Sequence, residues 1–154
     1  MTEPTPQVGY LLKKAQAVLH TRMEDALRPL GLSVSQYVCL HLLQQQPGIS
    51  ASELARSAFV TRQSMSTLLQ TLLERELVNR ADRALTGRAL PAALTTAGSQ
   101  VLRRAEVLVD QVEHQMLASL GAEDRRDLGR ALIACIDALS VPPRPLPLPT
   151  SPVA

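Results

Sequence analysis

Aromatic residues are scarce in this chain of 154 residues: two Tyr, one Phe and no Trp. A core cannot be assembled around rings, so it must come from Leu, Val and Ala. The hydrophobic content of 45% is ample for one domain with a helical extension. Cysteine is equally scarce. Cys39 and Cys135 each sit alone in an apolar helical context. Neither has basic neighbours to lower a thiol pKa, so both read as small buried residues of a reducing compartment. A Cys-based redox sensor stands as the alternative. No apolar run approaches the ~20 residues needed to cross a bilayer. No signal-peptide pattern precedes Val8, so the expected location is cytoplasmic and no membrane partner is expected. Nucleophile–base pairs, phosphate loops and spaced metal-ligand clusters are also missing. Cys39 and His41 are two apart and do not share a helix face, and His20 and His114 are distant. No enzymatic activity, metal or cofactor is expected.

Net charge is low as well, at +2, but it is unevenly placed. Between Arg56 and Arg88 six Arg face three acidic residues, and the rest of the chain carries a net −1. A surface that contacts phosphates requires such a local excess.

What is present is organised around Ser50 to Leu77. Ser50 with Glu53 forms a capping box and opens a short helix with Leu54 and Ala55 turned inward. Ala58-Phe59-Val60 breaks it, and Thr61 caps the next helix. There Met65, Leu68, Leu69, Leu72 and Leu73 recur at the spacings of one buried face. The opposite face holds Gln63, Thr67, Gln70 and Thr71, flanked by Ser64 and Ser66, with Arg62 at its start. Solvated helix faces favour Glu and Lys. Short hydroxyls and amides instead suit a major groove, where they hydrogen-bond to base edges and phosphates. A helix–turn–helix used only for packing is the plainer alternative.

Around this pair the pattern is helical from Val8 to Leu30, closed by Pro29 and Gly31. A second capping box, Ser33 with Gln36, opens a helix that buries Tyr37, Leu40, His41 or Leu42, and Leu43, and stops before Pro47-Gly48. After Leu77 an extended stretch, a turn at Gly87 and a return over 90–94 read as a hairpin, with Pro91 at an edge or bulge. Arg80, Arg83 and Arg88 line it, as in a wing that lies on the DNA backbone or in the minor groove. Thr95-Thr96-Ala97-Gly98 caps a long helix running to about Leu120. Gly121-Ala122 breaks it, and Glu123 and Asp124 begin a last helix. The first helix and the last two carry more apolar face than one domain covers, which predicts a homodimer interface. Six of the last fourteen residues are Pro, so 141–154 reads as a flexible or polyproline-like tail.

The fold class expected is mainly α with a small β-hairpin: a winged helix–turn–helix with terminal helices forming a dimerisation region. The domains are a loose arm over 1–7, the DNA-binding domain over 33–95, and the dimerisation region over 8–32 and 96–140.

Val60-Thr61-Arg62-Gln63-Ser64-Met65-Ser66-Thr67-Leu68-Leu69, then Leu73-Glu74-Arg75-Glu76-Leu77-Val78, then Arg88 before Leu94-Thr95-Thr96-Ala97-Gly98, resemble the MarR family of bacterial transcription regulators. The resemblance covers about Val8 to Leu139. It implies a homodimeric repressor on a pseudo-palindromic double-stranded operator, often released by a small phenolic molecule bound between the DNA lobes and the dimer helices. It places Gln63, Ser64 and Thr67 at positions that meet bases or phosphates, and Arg88 at the minor-groove arginine. Thr61, Arg62, Ser66, Gln70, Arg80 and Arg83 complete the expected DNA surface. Two half-sites would lie roughly 34 Å apart. An aromatic effector is expected near Arg22, Tyr37 and His41, residues that fit packing and surface roles equally well. Two positions depart from the family: Thr86 stands where an Asp usually fixes the wing arginine, and Glu76 where Gly usually ends the recognition helix. Both point to a wing less ordered or differently angled. No Cys lies between Met1 and Arg28, unlike the peroxide-sensing branch. A winged-helix module that binds protein rather than DNA is the remaining rival.

Overall fold

Local signals set most helix starts. The computed structural model describes residues 7–80 and 92–141. Helix α1 (Val8–Leu27) runs into a 3-10 turn over Arg28–Leu30, and Gly31 closes it at φ 64. Pro29 near the start of that turn lacks only an N–H that would have no partner there. Helix α2 (Val34–Gln45) opens on the Ser33/Gln36 box. The Gln36 N–H donates to Ser33 Oγ at 3.1 Å, and the Ser33 N–H donates to Gln36 Oε1 at 3.0 Å. Helix α3 (Ala51–Ser57) opens the same way on Ser50 and Glu53. The Ser50 N–H and hydroxyl both donate to the Glu53 carboxylate, which holds its pKa below the ordinary carboxyl value.

Helix α4 (Arg62–Glu74) follows the four residues Ala58 to Thr61, then come β1 (Val78–Arg80) and β2 (Ala92–Leu94). The strands are antiparallel, with Val78 opposite Leu94 and Arg80 opposite Ala92. Helix α5 (Thr96–Met116) and helix α6 (Ala122–Ser140) complete the order. Among the described residues, a mainly helical chain with one two-stranded antiparallel sheet is therefore what forms.

Helix α4 ends in a Schellman motif. The Glu76 N–H donates to Leu73 O at 2.9 Å and the Leu77 N–H to Leu72 O at 3.0 Å, with Leu72 and Leu77 both buried. The motif needs a left-handed residue, and Glu76 takes it at φ 55. Left-handed backbone costs a Cβ-bearing residue about 1–2 kcal/mol. Part of that is offset by the freedom Gly gains when unfolded. Glu76→Gly is therefore expected to stabilise the fold by about 0.5–1 kcal/mol, read as a higher urea midpoint with unchanged slope.

Thr95 ties this end to α5. Its hydroxyl donates to Glu76 O at 2.7 Å and accepts from the Gly98 N–H at 3.0 Å, while its N–H donates to Leu77 O at 3.1 Å. Gly98 rests directly on the Leu77 carbonyl, where a Cβ would collide with backbone.

The chain divides into two compact units, Met1–Gln115 and Met116–Ala154. In the first, Leu27, Leu40, Leu54, Met65, Leu72 and Leu102 are fully buried, so every helix from α1 to α5 contributes to one aliphatic core. No described polar or charged residue is buried. Helix α1 nevertheless leaves Val8, Tyr10, Leu11, Leu12 and Val18 exposed. In the second unit α6 buries nothing and exposes Leu128, Ile133, Ile136 and Leu139.

Three expectations are corrected. Helix α5 ends at Met116, not Leu120; residues 117–120 turn, with the Leu120 N–H on Leu117 O at 3.0 Å. Helix α2 buries Cys39, Leu40 and Leu43, while Tyr37, His41 and Leu42 are half-buried at its margin. Cys135 is exposed rather than buried. The arm over 1–6, Arg83, Thr86, Gly87, Arg88, Pro91 and the proline-rich tail beyond residue 141 lie outside the described residues. No described helix is long and apolar enough to cross a membrane.

Candidate nucleic-acid interface

Helix α4 is fastened from behind and capped from in front. Met65, Leu69 and Leu72 are buried, with Leu68 and Leu73 packed against the core. Thr61 Oγ1 accepts from the Ser64 N–H at 3.0 Å, satisfying one of the helix's free amides. The apolar stripe sets the helix's rotation, and this leaves Arg62, Gln63, Ser64, Ser66, Thr67 and Gln70 exposed together. Thr71 is half-buried at the edge of the face.

The hydrogen bonds within this face give it a polarity. Thr61 Oγ1 also donates to Ser64 Oγ at 2.9 Å, which leaves the Ser64 proton free for an outside acceptor. Arg62 stands beside it at the positive end of the helix. Further along, the Thr67 hydroxyl donates to Gln63 O at 3.2 Å and the Thr71 hydroxyl to Thr67 O at 3.1 Å. Their protons are committed to the helix, so they turn lone pairs outward. The start of α4 thus offers donors, as phosphate requires, and the remainder offers short acceptors and an amide to base edges.

Ser66, Thr67, Gln70, Thr71 and Glu74 share a groove of about 600 Å³ with Arg80 of β1. Six expected residues of α4 and one expected residue of the wing therefore lie on or beside one surface. Glu74 joins the expected residues there. Its carboxylate accepts from Gln70 Nε2 at 3.1 Å and so orients the Gln70 amide. The i,i+4 spacing was the signal available for it. Arg75, counted in the basic excess, instead serves the fold: its guanidinium donates to Gly31 O at 2.7 Å and Leu30 O at 3.2 Å. Partners more than forty residues away leave no local trace.

The three residues expected at an effector site fall in two places. Arg22 lines a groove of about 440 Å³ between α1 and α5, with Asp25, Ala26, Leu108, Gln111, Val112 and Gln115, and its guanidinium donates to Gln115 Oε1 at 2.7 Å. Tyr37 and His41 are elsewhere, on α2, with ring centroids 5.9 Å apart. His41 Nδ1 lies 3.3 Å from Glu106 Oε1. Burial first, and then the charges of Glu106, Asp110 and Glu113, push the Tyr37 hydroxyl pKa up. Near Tyr37 the surroundings are acidic and disfavour an anion; the guanidinium of Arg22 favours one.

Cys39 is buried against Met65, its Sγ 3.9 Å from Sδ, and burial pushes its thiol pKa up to about 12. It stays a thiol at neutral pH, the unreactive form. Among the described residues no group of three His, Cys, Asp or Glu side chains could hold a metal ion.

Comparison with known proteins decides the family. The MarR family model matches residues 30–89, which hold α2, α3, α4 and β1. The HTH-type transcriptional repressor Rv2887 of Mycobacterium tuberculosis H37Rv is 43% identical over 125 residues, 81% of this chain and 90% of that protein. The chain belongs to the MarR family. Two crystal structures of the Mycobacterium tuberculosis MarR family protein Rv2887 extend the likeness to three dimensions. The complex with salicylic acid has a TM-score of 0.72 at 41% identity, covering 88% of this chain and 99% of that one. The complex with DNA has a TM-score of 0.71 at 38% identity, covering 85% and 98%. Every described residue of the polar face lies within the span matched by the MarR family model.

Proposed function

We propose that this chain is a cytoplasmic homodimeric repressor, not an enzyme, that binds a pseudo-palindromic duplex and releases it on binding a small aromatic acid. One observation carries the reading: Gln63, Ser64, Ser66 and Thr67 stand exposed on one face of a helix whose opposite face is locked into the core. Thr67, Gln63 and Gln70 meet base edges; Arg62 and Ser64 meet phosphate, and Thr61 stands beside them, its hydroxyl holding Ser64 so that the Ser64 proton is free. Arg80, Arg83 and Arg88 supply basic contacts to the DNA backbone or the minor groove. The DNA complex of the relative Rv2887 supports the partner, and its name supports the sign of regulation. Two copies are needed because the exposed apolar stripes of α1 and of α6 each want a cover, and a symmetric pair supplies two reading helices.

The effector reading is supported by the salicylic acid complex of Rv2887 and by Arg22. A carboxylate takes the Arg22 guanidinium from the neutral Gln115 amide with which it is now paired, because a charged acceptor bonds more strongly.

A gel shift on duplexes flanking the chain's own gene tests the reading. The expected result is a dimer-sized shift whose affinity falls by about 10³-fold between 50 and 200 mM salt, as for a dimer contacting about six phosphates. Salicylate is expected to reverse the shift in the wild type, and Arg22→Ala to bind DNA normally while needing at least about tenfold more salicylate. Binding that ignores salt overturns the DNA reading, and an unchanged salicylate requirement overturns the role of Arg22.

A further inference from the structure

Phe59 is the one phenylalanine in the chain and is 95% exposed. It also holds a left-handed backbone, φ 57, at the turn between α3 and α4. The turn is a second Schellman motif: the Phe59 N–H donates to Arg56 O at 3.1 Å and the Val60 N–H to Ala55 O at 3.0 Å. Glycine is the residue such a position favours, and a bulky aromatic there is an outlier. A strained, water-exposed ring contributes nothing to the folding of the chain that carries it. Strained backbone of this kind clusters at functional sites, and unlike Glu76, Phe59 also exposes a large apolar side chain.

Its place says which function. Phe59 precedes Thr61, the cap of α4, by two residues and Arg62, the exposed arginine opening the polar face, by three. The turn therefore carries the ring just ahead of the N-terminal end of α4, the end by which a recognition helix contacts base edges. We propose that Phe59 is an apolar DNA contact: its ring packs on the hydrocarbon surface of the duplex, supplied by thymine methyl groups in the major groove or by deoxyribose at its edge. This rests on the DNA-binding reading above and adds an anchor that the polar face lacks. Arg62 and Ser64 hold phosphates of any sequence, whereas a ring on a thymine methyl discriminates.

The test sets stability against affinity. Phe59→Gly removes the strain and is expected to raise Tm by about 2–4 °C, while weakening binding to the duplex retained in the gel shift by about tenfold per half-site. Phe59→Ala should weaken binding to the same extent without the gain in Tm, and Phe59→Tyr should restore most of the affinity. A purely structural residue cannot give opposite signs in the two measurements. Deoxyuridine in place of each thymine in turn separates the two hydrocarbon sources. A loss at one position seen with wild type and absent in Phe59→Ala assigns the methyl, and no such position assigns the sugar.

If wild type fails to bind any duplex, the function proposed above falls. If wild type binds and Phe59→Ala binds equally well, only the role of Phe59 falls. A lower Tm or a dissociated dimer in Phe59→Gly, seen by sedimentation, would place the ring in packing between copies and overturn the contact.

Discussion

Gly98→Ala is expected to cost the fold about 3 kcal/mol or more, lowering Tm by roughly 6–12 °C. Most glycine-to-alanine changes in a helix stabilise it, because alanine is the better helix former. Here the added Cβ would fall on the Leu77 carbonyl. That carbonyl cannot swing aside like the end of a lysine. It accepts the Thr95 N–H, and Leu77 itself closes the end of α4 through its own N–H to Leu72 O. Moving it disturbs the Schellman turn, the start of β1 and the cap of α5 together. The damage should also reach DNA binding, since α4 is held in register through the same junction. A thermal melt followed by circular dichroism checks the stability; a melt superimposable on wild type would mean that α5 does not approach β1 this closely.

Thr67→Glu is the converse case, with folding intact and binding abolished. Thr67 is exposed in the middle of α4, and its hydroxyl bonds only within the helix, to Gln63 O. Glu is the better helix former, so the melt should be unchanged or slightly higher. On the duplex the substitution places one carboxylate per protomer, two per dimer, into a groove flanked by phosphates. Opposed like charges at an interface cost several kcal/mol, so affinity is expected to fall by at least about a hundredfold. Fluorescence anisotropy with a labelled operator duplex reads it. Retained affinity would show that α4 is not the reading helix, whatever the wing does.

The outcomes differ because one residue lies at a backbone junction and the other on a free face, and only the second kind of position was legible in the chain. Capping boxes at Ser33/Gln36 and Ser50/Glu53, the Thr61 cap and the leucine stripe of α4 involve partners within one or two turns. Their geometry follows from the helix itself, so sequence spacing and structure agree. The outward set of Gln63, Ser64, Ser66, Thr67 and Gln70 follows from the same stripe. Where burial depends on other segments, spacing fell short. The spacing turns Tyr37 inward, with His41 or Leu42; all three lie half-buried, and His41 Nδ1 meets Glu106 of α5. The expected effector residues separated into the Arg22 groove and the Tyr37–His41 pair, because helix packing, not helix periodicity, sets who meets across α1, α2 and α5.

By itself the sequence determined where most helices start, which face α4 turns inward, and that this helix presents short polar groups. Only the tertiary structure decided that Phe59 and Glu76 would carry left-handed turns usually given to glycine, that Arg75 would latch onto Gly31 rather than face DNA, and that Gly98 would meet Leu77. The physical reasons are range and residue preference. Caps and stripes are closed by neighbours a few residues away and follow residue preference; the two left-handed turns are local too, but they fall on residues that preference assigns elsewhere, and the Arg75 latch and the Gly98 contact join segments that adjacency in the chain does not reveal.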